Sequence, residues 1–279
     1  SKEGGAGVTK PYAVRFDISD QWFMTTVDSD SVDARARARR RLRRWGRGVW
    51  ADAKRQGARP VDRFCMVVAI GGRTESPVLA CETLKPLVDA GTDEGLWADD
   101  NPFHRVATLY MRDPTEAPPG RTRISIAVIP LEPSGSMPGW VVSRVPGALA
   151  APVSLSIPDR DWLTSNMRLP VGQRKARQTR VMRAAARQWQ GKALGPDCAV
   201  MCGVRYPDSR ARWVGDPDNT AETATAMWGA GVALGSVPAD PSLFGFYLLA
   251  GQSAPHTHDM GLLAFTVPHG FNWMDALLA

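Results

Sequence analysis

The sequence predicts a mixed α/β (α+β) fold made of two copies of one small unit, packed together as an intramolecular pseudo-dimer. The hydrophobic fraction of 44% over 279 residues is sufficient for a packed core. Segments with helical periodicity alternate with short apolar segments that are typical of strands. The same order of segments occurs over residues 12–130 and again over residues 153–279, which is the expected sign of an internal repeat.

Each copy is predicted to start with a strand, and Trp22 and Trp162 occupy matching positions before the next element. A basic helix is predicted next, from about Ala34 to Gln56 in the first copy and from about Gln173 to Gln190 in the second, and Gly and Pro end both. Apolar residues at helical spacing predict one buried stripe on each helix. These residues are Leu42, Trp45, Val49 and Ala53 in the first helix, and Val181, Ala185 and Trp189 in the second.

The later elements also correspond. The apolar strands "FCMVVAI" (64–70) and "CAVMCGV" (198–204) follow the helices, and their cysteines are expected to be buried thiols. A turn and a second helix are predicted within each of two matching stretches, 79–111 and 216–249, and one more strand ends each copy. Each copy is therefore expected to be a small mixed sheet with two helices. Residues 1–11 are predicted to form a flexible tail, and the Pro- and Gly-rich residues 131–152 a linker.

Charge indicates an anionic partner. Lys and Arg total 34 against 28 acidic residues, and arginine far outnumbers lysine. Arginine binds phosphate with two parallel hydrogen bonds, which lysine cannot do. The segment "ARARARRRLRRWGRG" (34–48) contains no acidic residue and is typical of a phosphate-binding surface. An acidic protein partner and a GC-rich coding bias are the alternative explanations.

The two basic helices supply the predicted nucleic-acid-binding residues. Phosphate contacts of this kind give affinity without sequence recognition. Trp45 and Trp50 could stack on bases. Trp45, however, lies on the apolar stripe and is therefore predicted to be a core residue. The predicted contacts are Arg35, Arg37, Arg39, Arg40, Arg43, Arg44 and Arg47 from the first copy, and Arg174, Lys175, Arg177, Arg180, Arg183 and Arg187 from the second.

The segment "WVGDPDNTAE" (213–222) raises the question of a metal site. Asp216 and Asp218 are two residues apart, so in an extended chain their carboxylates point the same way. Such a pair can bind a divalent metal. The competing interpretation is a turn, since Asp, Pro and Asn are common turn formers.

These residues resemble the RusA-like crossover-junction endodeoxyribonucleases, a family of Holliday-junction resolvases common in phages. The family pattern is D-x-D-N-x-x-K, followed by D-A-L and W-x-D-D. The first copy contains the later part, "KPLVDAGTDEGLWADD" (85–100), with Lys85, Asp89 and the pair Asp99 and Asp100. The second copy contains the earlier part, "DPDN" (216–219), and a later acid, Asp240.

The resemblance implies a homodimer-like arrangement in which aspartates bind Mg²⁺ and a lysine assists phosphodiester cleavage. In the first copy, Leu79 and Cys81 fall on the aspartate positions and cannot bind Mg²⁺, so Lys85 is a vestigial catalytic residue. In the second copy, Asp216, Asp218 and Asp240 match the metal ligands and are predicted as weak or vestigial catalytic residues. There Glu222 replaces the lysine and would repel the substrate.

Two functions follow as expectations. The first is a phage-type accessory protein of DNA recombination or replication with little or no nuclease activity and no required cofactor. It would bind branched or duplex DNA, or a recombinase whose direction it controls. The second is a Mg²⁺-dependent structure-specific endonuclease that uses the second copy's site. With neither a membrane-spanning run nor a signal-peptide pattern, the expected location is the cytoplasm of a bacterial host.

Overall fold

The fold is known from a computed structural model that describes residues 9–25, 31–131, 136–207 and 215–279. In these residues eight strands form one mixed sheet, covered by helices, which confirms the mixed α/β prediction. The strands are β1 Tyr12–Ser19, β2 Phe64–Gly71, β3 Arg105–Arg112, β4 Arg121–Pro130, β5 Ala150–Pro158, β6 Cys198–Arg205, β7 Phe244–Leu248 and β8 Thr257–Thr266. The helices are α1 Val32–Arg55, α2 Cys81–Asp93, α3 Met137–Val142, α4 Val171–Trp189, α5 Ala221–Ala233 and α6 Trp273–Leu278.

The strand order is β1-β4-β2-β3-β7-β6-β8-β5. Two small separate sheets were the expectation, and this part of it is wrong, because strands from both halves of the chain belong to one continuous sheet. The halves meet at the central antiparallel pair of β3 and β7, where Thr108 lies opposite Phe246. Without this pairing, each central strand would present an open edge of unpaired backbone groups.

The four long helices lie on one face of the sheet. Alternate residues of β2, from Phe64 to Ile70, enter the core beneath α1, α2, α4 and α5, and the intervening residues point to the other face. There α3 and α6 cover the sheet. On the first face α1 packs against α2 and β1, and α4 packs against α5 and β5. Because β1 and β5 are the two outer strands, the basic helices α1 and α4 lie at opposite margins of one helix layer.

The buried stripe of α4 is the one predicted, whereas that of α1 is rotated. Trp50 is fully buried and its Nε1 donates to the carbonyl oxygen of Leu87 at 2.8 Å. In α4 the matching Trp189 donates in the same way to Met227, at 2.9 Å. Trp45, the predicted core residue, is only half-buried, because the stripe passes through Gly46 and Trp50 instead.

The predicted linker is partly structured. It contains α3, whose Met137 and Val141 are buried against the second face of the sheet, and it overlaps the start of β5 at Ala150. Residues 132–135 of this linker and residues 1–8 of the predicted tail lie outside the described residues. Pro-rich composition suggested a linker, but proline is also common at the first turn of helices and in edge strands, the positions of Pro138 and Pro152. No helix in the described part is long and apolar enough to cross a membrane.

Substitution of two helical glycines by alanine is expected to change stability in opposite directions. A Cβ on Gly91 of α2 would overlap the ring of Trp97, whereas a Cβ on Gly48 of α1 would meet nothing within 4 Å. We expect Gly91→Ala to lower the free energy of unfolding by about 1–3 kcal/mol. Gly48→Ala is expected to raise it by roughly 0.5–1 kcal/mol, because alanine favours the helix. Urea unfolding of both variants checks this, and a destabilising Gly48→Ala would contradict the position of α1.

Candidate functional site

Two buried carboxylates lie where the two halves of the chain meet. Asp216 precedes a short 3-10 turn, Pro217–Thr220, that leads into α5, and Asp218 lies within the turn. Proline at the start of the turn supplies the backbone angle that the turn needs. The residues are 7% and 5% exposed, so their charges require partners inside the protein. The interpretation of "DPDN" as a turn is confirmed, and this turn also buries two acids.

Their main partner is Arg105, the first residue of β3. Its guanidinium is almost completely buried and lies 3.2 Å from Asp218 Oδ2 and 3.6 Å from Asp216 Oδ2. The Arg105 side chain also donates to Thr108 Oγ1 at 2.7 Å and to the carbonyl oxygen of Asp100 at 3.2 Å. One cation thus lies between the two carboxylates and offsets half of their charge, and neutral oxygens hold its side chain in place.

Tyr110 completes the surroundings of Asp218. Its hydroxyl donates to Asp218 Oδ2 at 2.7 Å. Tyr110 is buried, and burial together with the charge of Asp218 raises the pKa of its hydroxyl well above the usual value. The hydroxyl therefore stays a hydrogen-bond donor at neutral pH. Asp218 Oδ2 receives two donors, from β3 residues Arg105 and Tyr110, which fixes the orientation of the carboxylate.

Lys85 and Asp100 come from the first half of the chain and join the same group. Lys85 Nζ lies 3.7 Å from Asp216 Oδ2 and 3.8 Å from Asp100 Oδ2. Asp100 Oδ2 is buried and has no hydrogen-bond partner among the described residues. The sequence assigned Lys85 and the aspartate pair to two separate incomplete sites. The structure corrects this, since it brings them into one cluster, which we call the seam cluster: Lys85, Asp100, Arg105, Asp216 and Asp218.

Burial and charge oppose each other in the seam cluster. Burial raises the pKa of Asp216 to about 6, although Arg105 and Lys85 act to lower it. Burial also tends to lower the pKa of Lys85, but Asp100, Asp216 and Asp89 outweigh it and the net shift is upward. Asp89 lies 3.9 Å from Lys85, which is the ion pair expected from their helical spacing.

The raised pKa of Asp216 makes stability depend on pH. Folded Asp216 holds its proton more tightly than the unfolded chain does, so the wild type loses stability as the pH rises from about 4 to about 6. Asp216→Asn removes this dependence. Relative to the wild type, the variant should gain up to roughly 3 kcal/mol between pH 4 and pH 7. Urea unfolding at several pH values checks this, and a constant difference would contradict the burial of this carboxylate.

The donor set does not fit the Mg²⁺ ion that the resemblance implies. Asp240, the third predicted ligand, is half exposed and pairs with Arg112 at 2.7 Å, whereas Asp216 and Asp218 face Arg105. No group of three or more His, Cys, Asp or Glu residues in the described part is arranged to hold a metal ion. A metal at the aspartate pair would have to displace the Arg105 guanidinium.

Many of the arginines predicted to bind DNA form ion pairs with acidic residues of the protein itself, so their charges are balanced within the chain. In α1, Arg39 pairs with buried Glu82 at 2.5 Å, and Arg43 pairs with Asp93 at 2.7 Å. The acid predicted to repel DNA, Glu222, is likewise buried and paired with Arg174. The remaining internal contacts are those of Arg35 with Glu82, Arg47 with Glu94, Arg180 with Asp161, and Arg177 with the carbonyl oxygens of Asp159 and Trp162.

Six of the predicted basic residues keep unbalanced charges. They are exposed, and they form no ion pair with any residue in the described part of the chain. We call them the free basic residues: Arg37, Arg40 and Arg44 on α1, and Lys175, Arg183 and Arg187 on α4.

Arg105 and Tyr110 were not among the residues predicted from the sequence. One available signal was the charged residue that opens the largely apolar segment "RVATLYM" (105–111), five residues after the end of the W-x-D-D motif. No family model matches the chain, and no curated protein matches its sequence at a significant level.

Proposed function

We propose that this protein is a DNA-binding accessory factor that arose by duplication of a resolvase-type unit and does not cut DNA. The observation on which this rests is the buried Arg105, which lies against the carboxylate pair that a nuclease of this type would use for metal. In this arrangement the carboxylates are kept, but a buried arginine pairs with both of them and occupies the side on which a metal would bind.

The strand order supports the duplication. In the first half the strands lie in the order β1-β4-β2-β3, and in the second half in the corresponding order β5-β8-β6-β7. The turn Pro77–Ala80 precedes α2 as Pro217–Thr220 precedes α5. When these two turns are aligned, Ser76 and Val78 correspond to Asp216 and Asp218. The alignment of the sequences had placed Leu79 and Cys81 there instead. Neither Ser76 nor Val78 can supply a carboxylate, so the first half still lacks this pair.

The free basic residues support DNA binding. Those of α1 and α4 lie at opposite margins of the same helix layer, separated by the width of an eight-stranded sheet. At the usual spacing between strands this width is roughly 33 Å, which is about one turn of B-form DNA. The two groups could contact successive turns of one duplex or two arms of a branched DNA. Contacts of exposed arginine and lysine with phosphate carry no sequence information, so binding is expected to depend mainly on DNA shape and charge.

A binding and cleavage assay on a synthetic four-way junction, beside linear duplex of the same sequence, tests the proposal. The protein is expected to shift both DNAs and to release no product with Mg²⁺ or Mn²⁺. Robust cutting of the junction that Asp218→Asn abolishes would refute it. Absence of binding to either DNA at low salt would refute it too, and would favour an acidic protein as the partner of the basic helices.

A second candidate function is a Mg²⁺-dependent endonuclease with one active site. One observation favours it: Lys85 lies 3.7 Å from Asp216, so the lysine that the second copy lacks is supplied by the first. In this case Lys85→Gln would abolish cleavage while leaving junction binding nearly unchanged.

A recombinase or replication protein as partner remains an expectation from the resemblance. Such a partner would bind the same basic helices or the surface around them.

A further inference from the structure

A pocket on α1 combines tryptophan and arginine side chains. It has a volume of about 420 Å³ and is lined by Trp22, Arg41, Arg44, Trp45 and Arg121. The size is within the range of small-ligand pockets. Every lining residue is either aromatic or positively charged, and the three arginines are exposed.

The two tryptophans of the pocket are less buried than the tryptophans of the core. Trp22 and Trp45 are half-buried and meet edge to face at 6.3 Å, and Arg41 lies over the Trp22 ring at 5.6 Å. Neither indole N–H has a hydrogen-bond partner among the described residues, whereas the buried Trp50 and Trp189 donate to backbone carbonyls. The rings therefore have apolar area and a donor available to a ligand.

The charge around the pocket favours an anion. Arg41 and Arg44 form no ion pair with any residue that the structure describes, and among these residues the Arg121 side chain donates only to the carbonyl oxygen of Asp17. The two acids nearest in sequence to Trp22, Asp20 and Asp17, have other partners. Asp17 pairs with Arg123 at 3.0 Å, and Asp20 accepts from Thr122 at 2.8 Å.

The second half of the chain has no such pocket among its described residues. Trp162, which corresponds to Trp22, is 3% exposed and stacks on His258 at 4.0 Å. When α1 and α4 are aligned on their buried tryptophans, Trp50 and Trp189, Ala184 corresponds to Trp45 and Arg183 corresponds to Arg44. The pocket is therefore specific to one end of the helix layer.

From this geometry we infer that the Trp22–Trp45 pocket binds one unpaired nucleotide of DNA, with the base against the indole rings and the phosphate on Arg41, Arg44 and Arg121. Base stacking on aromatic side chains needs no particular sequence, and arginine adds cation–π contact and phosphate binding. A base in a duplex is already stacked, so the pocket selects a strand end, a gap or a branch point. This inference rests on the proposed DNA binding and adds the class of DNA that the protein prefers.

The test compares a blunt duplex with the same duplex bearing a single-stranded oligo-dT overhang, by fluorescence anisotropy at one ionic strength. The wild type is expected to bind the overhang DNA more tightly. Trp22→Ala should weaken binding of the overhang DNA by roughly 5- to 100-fold and binding of the blunt duplex by less than about twofold. Trp22→Phe should keep most of the preference, which separates stacking from a folding defect.

Two arginine variants serve as a matched pair. Arg44→Gln should reduce the preference for the overhang, whereas Arg183→Gln, at the corresponding position of α4, should leave the preference unchanged. Equal effects of the two variants would overturn the inference, and so would a wild type that binds both DNAs equally. Displacement of the overhang DNA by oligo-glutamate as readily as by oligo-dT would also overturn it. No binding to either DNA would overturn the proposed function together with the inference.

Discussion

Arg105→Met is expected to lower the free energy of unfolding by about 3–5 kcal/mol, because it leaves Asp216 and Asp218 buried without their main counter-ion. Methionine keeps much of the volume, so a packing defect contributes little. Arg112→Met is the control. It breaks the half-exposed pair with Asp240 and should cost less than about 1 kcal/mol.

The same variant gives a second readout. If Arg105 stands in for a metal, its removal should allow a divalent ion to bind between the aspartates. Millimolar Mn²⁺ is then expected to restore part of the lost stability of Arg105→Met and to leave the wild type unaffected. A similar loss of stability in Arg105→Met and Arg112→Met would contradict the central position of Arg105.

Substituting Arg37, Arg40 and Arg44 together by Gln is expected to weaken binding of linear duplex by roughly 100-fold near physiological salt. Six phosphate contacts from the free basic residues predict a slope of about −5 for log affinity against log salt concentration, and three contacts a slope of about −3. Measuring affinity at several salt concentrations gives both values.

A charge-balanced control separates direct contacts from net charge. Arg47 pairs with Glu94, and replacing both by Gln leaves the net charge unchanged. This double variant is expected to keep the wild-type slope. If it changes the slope as much as the triple variant does, paired arginines also contact phosphate, and the separation into balanced and free residues is wrong.

Helix positions followed from the sequence, because apolar spacing and Gly or Pro ends are local signals. The predicted helix from Ala34 to Gln56 is Val32–Arg55 in the structure, and the stripe of Val181, Ala185 and Trp189 is buried as predicted. That Trp50 and not Trp45 is the buried core residue was not predictable. Both lie near the apolar stripe, and which of them is buried depends on how α2 packs against α1.

The seam cluster was only half predictable. Asp216 and Asp218 were identified from their spacing and Lys85 from the family resemblance, but their assignment to separate sites was wrong because the pairing of β3 with β7 is a long-range contact. The same pairing brings Arg105 and Tyr110 to Asp218 across more than a hundred residues. Local sequence can mark Arg105 as unusual, but it does not show which distant residue is its partner. The same holds for the arginines of α1 and α4 that pair with acids of α2 and α5.

Calorimetric titration of the wild-type protein with Mn²⁺ at neutral pH and millimolar concentration tests most directly whether Arg105 occupies the place of a metal. The predicted result is no saturable heat of binding, because a metal at Asp216 and Asp218 would have to expel a buried guanidinium. Stoichiometric binding by the wild type that disappears in Asp216→Ala would contradict this account and favour the nuclease.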